Sequence, residues 1–405
     1  MSSAFSRRIP ELDGVRGLAV LAILLYHLVF LAGWSRLPFR IGALLSFGWS
    51  GVDLFFVLSG FLIGGILLDA RDASNYFRVF YTRRAYRILP LYLALCGTSV
   101  LIFYTHLPTH HWLFEGKTPW YAYLTFGQNF WMVKDTIDSR QLDMTWSLAV
   151  EEQFYLTLPL VIRFVRREAL PYVFAAGVLL APLIRTAVWL SVPAYRDSIT
   201  YLLAPCRMDA LLLGVLAAYG VRNDATLGWL VGHAKLLRWT AIVLALGLAG
   251  LTRAHIARES LIFTSLGYTW VAAFYLLLLI LAVTQKGIIS TLFRFPPIMK
   301  LGILAYGLYL LHQPVMGLVY GLAGRDSPSL GPWPPEWIPL GLMSIAAITV
   351  IVLANISWEY FEEPLVRRGH HFRYRLPANP VSQPSAAPVA PPNSRPASAS
   401  CLDAS

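Results

Sequence analysis

Ten stretches of the chain are apolar over lengths that cross a bilayer: 16–34, 48–69, 88–107, 146–165, 172–191, 200–220, 236–252, 261–283, 300–322 and 338–361. Polar and basic residues collect between them. The pattern predicts an all-α, polytopic bundle of about ten transmembrane helices with no internal repeat. An even count places both chain ends on one side. Segments on that side, with Arg71, Arg78, Arg83 and Arg367 among their residues, hold more than twice as many Lys and Arg residues as the segments opposite. The positive-inside rule therefore predicts both termini in the cytoplasm. The first apolar run, Gly17 to Gly33, exceeds the core of a signal peptide and reads as a retained helix. From about Leu376 the chain turns to Pro, Ala and Ser without periodicity. The expected division is a membrane domain over 1–365 and a basic, disordered cytoplasmic tail over 366–405.

Composition agrees with that pattern. The 405 residues are 57% hydrophobic and 14% charged, against about 25% charged for a soluble domain. The net charge of +11 is dispersed between apolar segments, which fits an anionic membrane leaflet and not a nucleic acid. Cys96, Cys206 and Cys401 have neither metal-ligand spacing nor the makings of a disulfide framework.

The chemistry lies in the polar residues inside the spans. Arg16 and His27 are eleven residues apart, so a helix returns them to one face, about 16 Å apart. An ionisable group at mid-membrane depth marks function by default; the alternative is a neutral histidine hydrogen-bonded within the bundle. Arg84 and Arg87, three apart, share a face at the level of Arg16. Three guanidiniums there suit phosphate recognition, although topology alone also places arginines on that side. Asp53 opens the second span. Glu151 and Glu152 project about 100° apart, and a buried carboxylate there could orient a histidine. Arg207 and Asp209 are close enough in sequence to pair. His312 reaches the depth of His27. The longest outer loop, 108–145, carries Trp112, Trp120, Tyr121, Tyr123, Phe126, Phe130 and Trp131, rings suited either to stacking on sugars or to anchoring at the interface.

Six stretches, L-D-G-V-R-G-L-A, G-V-D-L-F-F-V-L-S-G-F-L-I, R-R-A-Y-R-I-L-P, W-S-L-A-V-E-E-Q-F-Y-L, R-M-D-A-L-L-L-G and Y-G-L-Y-L-L-H-Q-P-V, resemble, in family order, the integral-membrane acyltransferase-3 family. These are bacterial enzymes that O-acylate surface carbohydrates or macrolide-type molecules. The resemblance covers about residues 9–365. It implies a bacterial cytoplasmic-membrane enzyme that moves an acyl group, acetyl foremost, from cytoplasmic acyl-CoA to a hydroxyl of a carbohydrate, glycolipid or macrolide-like acceptor. No tightly bound cofactor or metal is implied. Arg16, Arg84 and Arg87 map to donor-phosphate binding and His27 to the general base. Glu151 would support charge on the acceptor side as a second catalytic residue, with Asp53, Trp146, Arg207 and His312 as acceptor-side or supporting groups. The rival reading is a proton-coupled transporter of a small molecule, for which intramembrane His, Glu and Arg are equally apt. Against it stand the missing repeat and the absence of a matched pair of broken helices.

Overall fold

A computed structural model of the chain describes residues 9–31, 42, 45–104, 118–135, 142–254, 256–323 and 337–377. These residues are helical, with no strand among them. The long elements are α1 (Pro10–Leu31), α2 (Gly51–Ala70), α3 (Tyr76–Tyr104), α4 (Thr145–Phe164), α5 (Leu170–Ser191), α6 (Ala204–Gly220), α7 (Ala234–Arg253), α8 (Tyr268–Thr284), α9 (Pro296–Ile303), α10 (Ala305–Leu322), α11 (Trp337–Ser357) and α12 (Glu363–His370). Each of the ten predicted spans falls on one or two of them.

Among the described residues, six helical segments are long and apolar enough to cross a membrane on their own, or seven if the bent pair α9–α10 is one span. The expectation of about ten spans is thus supported for six or seven of them. The physical reason lies in the residues. α1 carries Glu11, Asp13 and Arg16, α3 carries Arg83, Arg84 and Arg87, and α4 carries Glu151 and Glu152. Asp53, Arg185, Arg207 and Asp209 lie on helices that remain apolar enough to cross. The expected span at 300–322 is also revised: the chain turns by 74° at Leu304, between α9 and α10.

Burial separates the centre of the bundle from its rim. The segment Phe47–Ala70 is 78% buried, whereas α5 and α7 are each 17% buried. In lipid the driving force between helices is close packing, and small residues permit it. A Cβ at Gly60 would lie 1.9 Å from the Leu211 carbonyl oxygen, and one at Gly214 would lie 2.1 Å from that of Val57. The backbones of α2 and α6 therefore touch at the core. Gly17 and Gly302 do the same for α1 and α9, where an added Cβ would lie 1.9 Å and 1.7 Å from opposing carbonyl oxygens.

Of the predicted tail, 366–370 continue as helix α12. The next residues are tied back to the start of α3: Asn75 Nδ2 donates to the Arg373 carbonyl at 2.9 Å and Arg83 Nε to that of Phe372 at 2.8 Å. In the predicted outer loop, Trp112 lies outside the described residues. Trp120, Tyr121, Phe130 and Trp131 are exposed on two short helices, while Tyr123 is buried. The two chain ends, 1–8 and 378–405, lie outside the described residues.

Candidate active site

Helices α1, α2, α3, α4 and α10 enclose a cavity of about 300 Å³. Arg16, Arg84, Arg87, Ser59, Glu151, Tyr155, Ser147, Tyr306 and Tyr309 line it, with Val52, Phe55 and Leu62 among the apolar wall. Helical spacing accounts for the polar set. Arg84 and Arg87 stand three apart on α3, Glu151 and Tyr155 four apart on α4, and Tyr306 and Tyr309 three apart on α10. Each pair presents one face.

The three arginines differ in their partners. Arg16 Nη1 donates to Asp13 Oδ1 at 2.9 Å, one turn earlier on its own helix. Arg84 lies 5.7 Å from the centroid of the Tyr155 ring. Among the described residues, neither Arg84 nor Arg87 forms a hydrogen bond or an ion pair through its guanidinium. Glu151, on the same cavity wall, is held by hydroxyl groups instead: Ser59 Oγ donates to Oε1 at 2.9 Å and the Tyr155 hydroxyl to Oε2 at 3.2 Å. The cavity therefore keeps two guanidiniums uncommitted beside a carboxylate that has other partners. Such an arrangement suits an anion entering from outside the protein.

His27 does not line this cavity. It packs against His312, ring centroids 4.9 Å apart. Each histidine faces a backbone carbonyl of its own helix, His27 Nδ1 that of Ile23 at 2.9 Å and His312 Nδ1 that of Tyr309 at 2.6 Å. A carbonyl only accepts, so each Nδ1 bears hydrogen when the ring is neutral and each Nε2 offers a lone pair. His312 is fully buried, and its Nε2 has no partner among the described residues. Tyr309 joins the pair to the cavity: its ring lies 5.7 Å from that of His312, and its hydroxyl meets Ser147 Oγ at 2.6 Å on the cavity wall.

The remaining predicted residues form a separate cluster. Arg207 does not pair with Asp209. Its Nη2 bonds Asp53 Oδ1 at 2.6 Å, both side chains 1% exposed. Asp209 takes Arg185 at 3.0 Å instead. Residues two apart on a helix point nearly opposite ways, so each finds its partner on a different neighbour. Trp146 lies 6.0 Å from the Arg207 guanidinium, and Tyr268 lies 4.3 Å from it. Arg185 was missed as a site-forming residue; it also donates to the carbonyls of Cys206 and Thr264 and to Thr269 Oγ1. Tyr155 and Tyr309 were missed as well, and of the two only Tyr155, four residues from Glu151, had a readable signal in its spacing.

Comparison with known proteins supplies the family. A family model described as an acyltransferase domain matches residues 9–354. Among curated proteins, the O-acetyltransferase OatA of Staphylococcus aureus (strain NCTC 8325 / PS 47) is 26% identical over 393 residues, covering 90% of this chain and 58% of that protein. The peptidoglycan O-acetyltransferase OatA of Listeria monocytogenes is 26% identical, covering 91% and 57%. The putative peptidoglycan O-acetyltransferase YrhL of Bacillus subtilis is 28% identical, covering 90% and 56%. The chain thus spans little more than half the length of the relatives it matches. No solved structure gives a significant match. With a family match across nearly its whole folded body, and with the polar residues of six family stretches drawn into one bundle, the chain belongs to the integral-membrane acyltransferase-3 family.

Proposed function

We propose that this protein is a multi-pass O-acyltransferase of the bacterial cytoplasmic membrane. It takes an acetyl group from acetyl-CoA at the arginine cavity and passes it to a hydroxyl of a peptidoglycan-type saccharide. The observation that carries this reading is the pair of uncommitted guanidiniums, Arg84 and Arg87, converging with Arg16 on one cavity. Arginine recognises phosphate in bidentate fashion, and the apolar wall beyond suits a pantetheine arm. At about 300 Å³ the cavity is at the small end of ligand pockets. It takes the arm and leaves the nucleotide at the mouth, where His370 lies. Cytoplasmic donor entry follows from the charge asymmetry of the loops.

The chemistry follows from the histidine geometry. With Nδ1–H fixed on the Ile23 carbonyl, Nε2 of His27 accepts the proton of the acceptor hydroxyl. The hydroxyl oxygen then attacks the thioester carbonyl carbon. The ester C–O bond forms, the C–S bond breaks, and the thiolate of the free coenzyme takes up the proton that His27 holds. Glu151, fixed by Ser59 and Tyr155, lies on the same cavity wall and leaves the arginines unoccupied.

The test is direct transfer. The whole protein in nanodiscs receives isotopically labelled acetyl-CoA and peptidoglycan fragments, and mass spectrometry reads the acceptor. Labelled ester on the saccharide supports the reading. Bound donor with label on no saccharide overturns the acceptor assignment, and no donor binding overturns the function.

A further inference from the structure

Beyond the histidine pair, away from the arginine cavity, the bundle presents a further guanidinium, that of Arg258, that acyl transfer leaves without a role. Three separate elements deliver aromatic rings to this end: Trp49 in the turn before α2, Tyr201 in the short helix before α6, and Tyr268 at the start of α8. The rings touch in series. Trp49 meets Tyr268 edge-on with centroids 5.8 Å apart, and Tyr201 meets Tyr268 at 6.2 Å. Arg207 fixes this layer from within, 4.3 Å from the Tyr268 centroid and 5.2 Å from that of Tyr201. Arg258 meets the same layer at its surface, 5.3 Å from the Trp49 centroid and 5.0 Å from that of Tyr201.

The two arginines differ in what they have committed. Arg207 is buried and tied to Asp53. The Arg258 side chain is 34% exposed, and its ion pair is with its own neighbour Glu259, which touches Nε at 3.5 Å and is 51% exposed. A rim contact of that kind exchanges readily with a ligand. Among the described residues, the Nη nitrogens of Arg258 have no hydrogen-bond partner.

Tyr26 links this rim to the reacting centre. Its ring stands edge-on to His27 with centroids 5.1 Å apart, and its Cβ packs against Gly48, the residue before Trp49, where an added Cβ would lie 2.9 Å away. An acceptor anchored at Arg258, beside Trp49, therefore approaches His27 from the Tyr26 side. One guanidinium balances one negative charge and matches a planar carboxylate. The flanking Trp49 and Tyr201 rings hold the guanidinium in place. Resting on the acyl-transfer reading above, we propose that Arg258, set between Trp49 and Tyr201, binds the carboxylate of an anionic saccharide acceptor and so presents the sugar's hydroxyls to His27.

Two probes test this: a muramic-acid disaccharide, and the same disaccharide with its carboxyl reduced to the primary alcohol. Each is titrated into the whole purified protein without donor, and initial rates with acetyl-CoA follow. The wild type is expected to bind the carboxylate form about tenfold more tightly, the worth of a charge-assisted hydrogen bond. Arg258→Gln removes that preference by weakening the carboxylate form to the level of the alcohol, and the loss in rate falls on KM for the acceptor. Arg258→Lys restores part of the preference. No preference in the wild type, or an unchanged preference in Arg258→Gln, overturns the proposal. So does a loss confined to kcat. Failure of the acyl-transfer reading shows separately, as absent acetyl-CoA binding in a protein whose saccharide titration is intact.

Discussion

His27 and His312 stand with ring centroids 4.9 Å apart on helices 285 residues distant in sequence, each with Nδ1 turned to a carbonyl of its own helix. Each ring thus leaves its Nε2 as the free acceptor when neutral. His27 borders Tyr26 and the aromatic rim; His312 borders Tyr309 and the arginine cavity. In the proposed reaction the pair forms the partition between donor and acceptor.

That position gives His312 a supporting role distinct from that of His27. His312→Gln keeps a donor for the Tyr309 carbonyl but removes the second imidazole. Turnover should fall about tenfold, the worth of one hydrogen bond of about 1.5 kcal/mol, and less than in His27→Gln. Parallel single-turnover assays of the two variants check this ordering. An equal or larger loss in His312→Gln would make His312 the base.

Arg84 and Arg87 owe their predicted role to geometry and not to charge alone. Arg84→Lys and Arg87→Lys should each raise KM for acetyl-CoA by about 10- to 100-fold, the cost of a lost charge-assisted bond of 1.5–3 kcal/mol. Topology should be unchanged, because the positive charge stays. Donor titration of the purified variants reads the effect, and wild-type affinity in both would reduce the two arginines to topology signals.

Much of this bundle was legible in the sequence because apolar runs announce helices and helical spacing announces shared faces. Arg16, Arg84 and Arg87 meet on one cavity as their spacing and level implied, whereas Glu151, expected on the acceptor side, joins them there. Partnerships between distant segments were not legible. Nothing local tells that Asp53 takes Arg207 and Asp209 takes Arg185, since each bond closes a separation that only packing decides. The 74° turn at Leu304 was hidden by an apolar run that continues unbroken through it. Two residues before the break Gly302 touches the backbone of α1, a tertiary contact that no local pattern announces. Tyr309 was hidden for a different reason. A tyrosine in an aromatic-rich membrane helix is common, and only its hydroxyl's place beside Ser147 singles it out.

Packing supplies a stability prediction. Gly60→Ala puts a methyl group against a backbone oxygen at 1.9 Å and should cost about 1–3 kcal/mol or more, as overpacking does. Gly97→Ala, at a helical position with open space around it, should be stabilising by about 0.5–1 kcal/mol. Thermal unfolding of the detergent-purified variants should move in opposite directions.

Orientation is testable with a native reporter. If both termini are cytoplasmic, Cys401 reacts with a membrane-impermeant maleimide only after cells are permeabilised. Lys117→Cys, in a Cys401→Ser background, reacts in intact cells. The reverse pattern would invert the charge-based assignment and move the donor to the other side of the membrane.

The central claim is that donor binding and proton transfer occupy different places, the arginine cavity and His27. His27→Gln, assayed in one preparation for acetyl-CoA binding and for single-turnover transfer, separates them most directly. Glutamine replaces the hydrogen bond to the Ile23 carbonyl but accepts no proton productively. The account predicts acetyl-CoA affinity within about twofold of wild type and transfer slower by roughly 10²- to 10⁴-fold. Transfer at the wild-type rate in His27→Gln would contradict it.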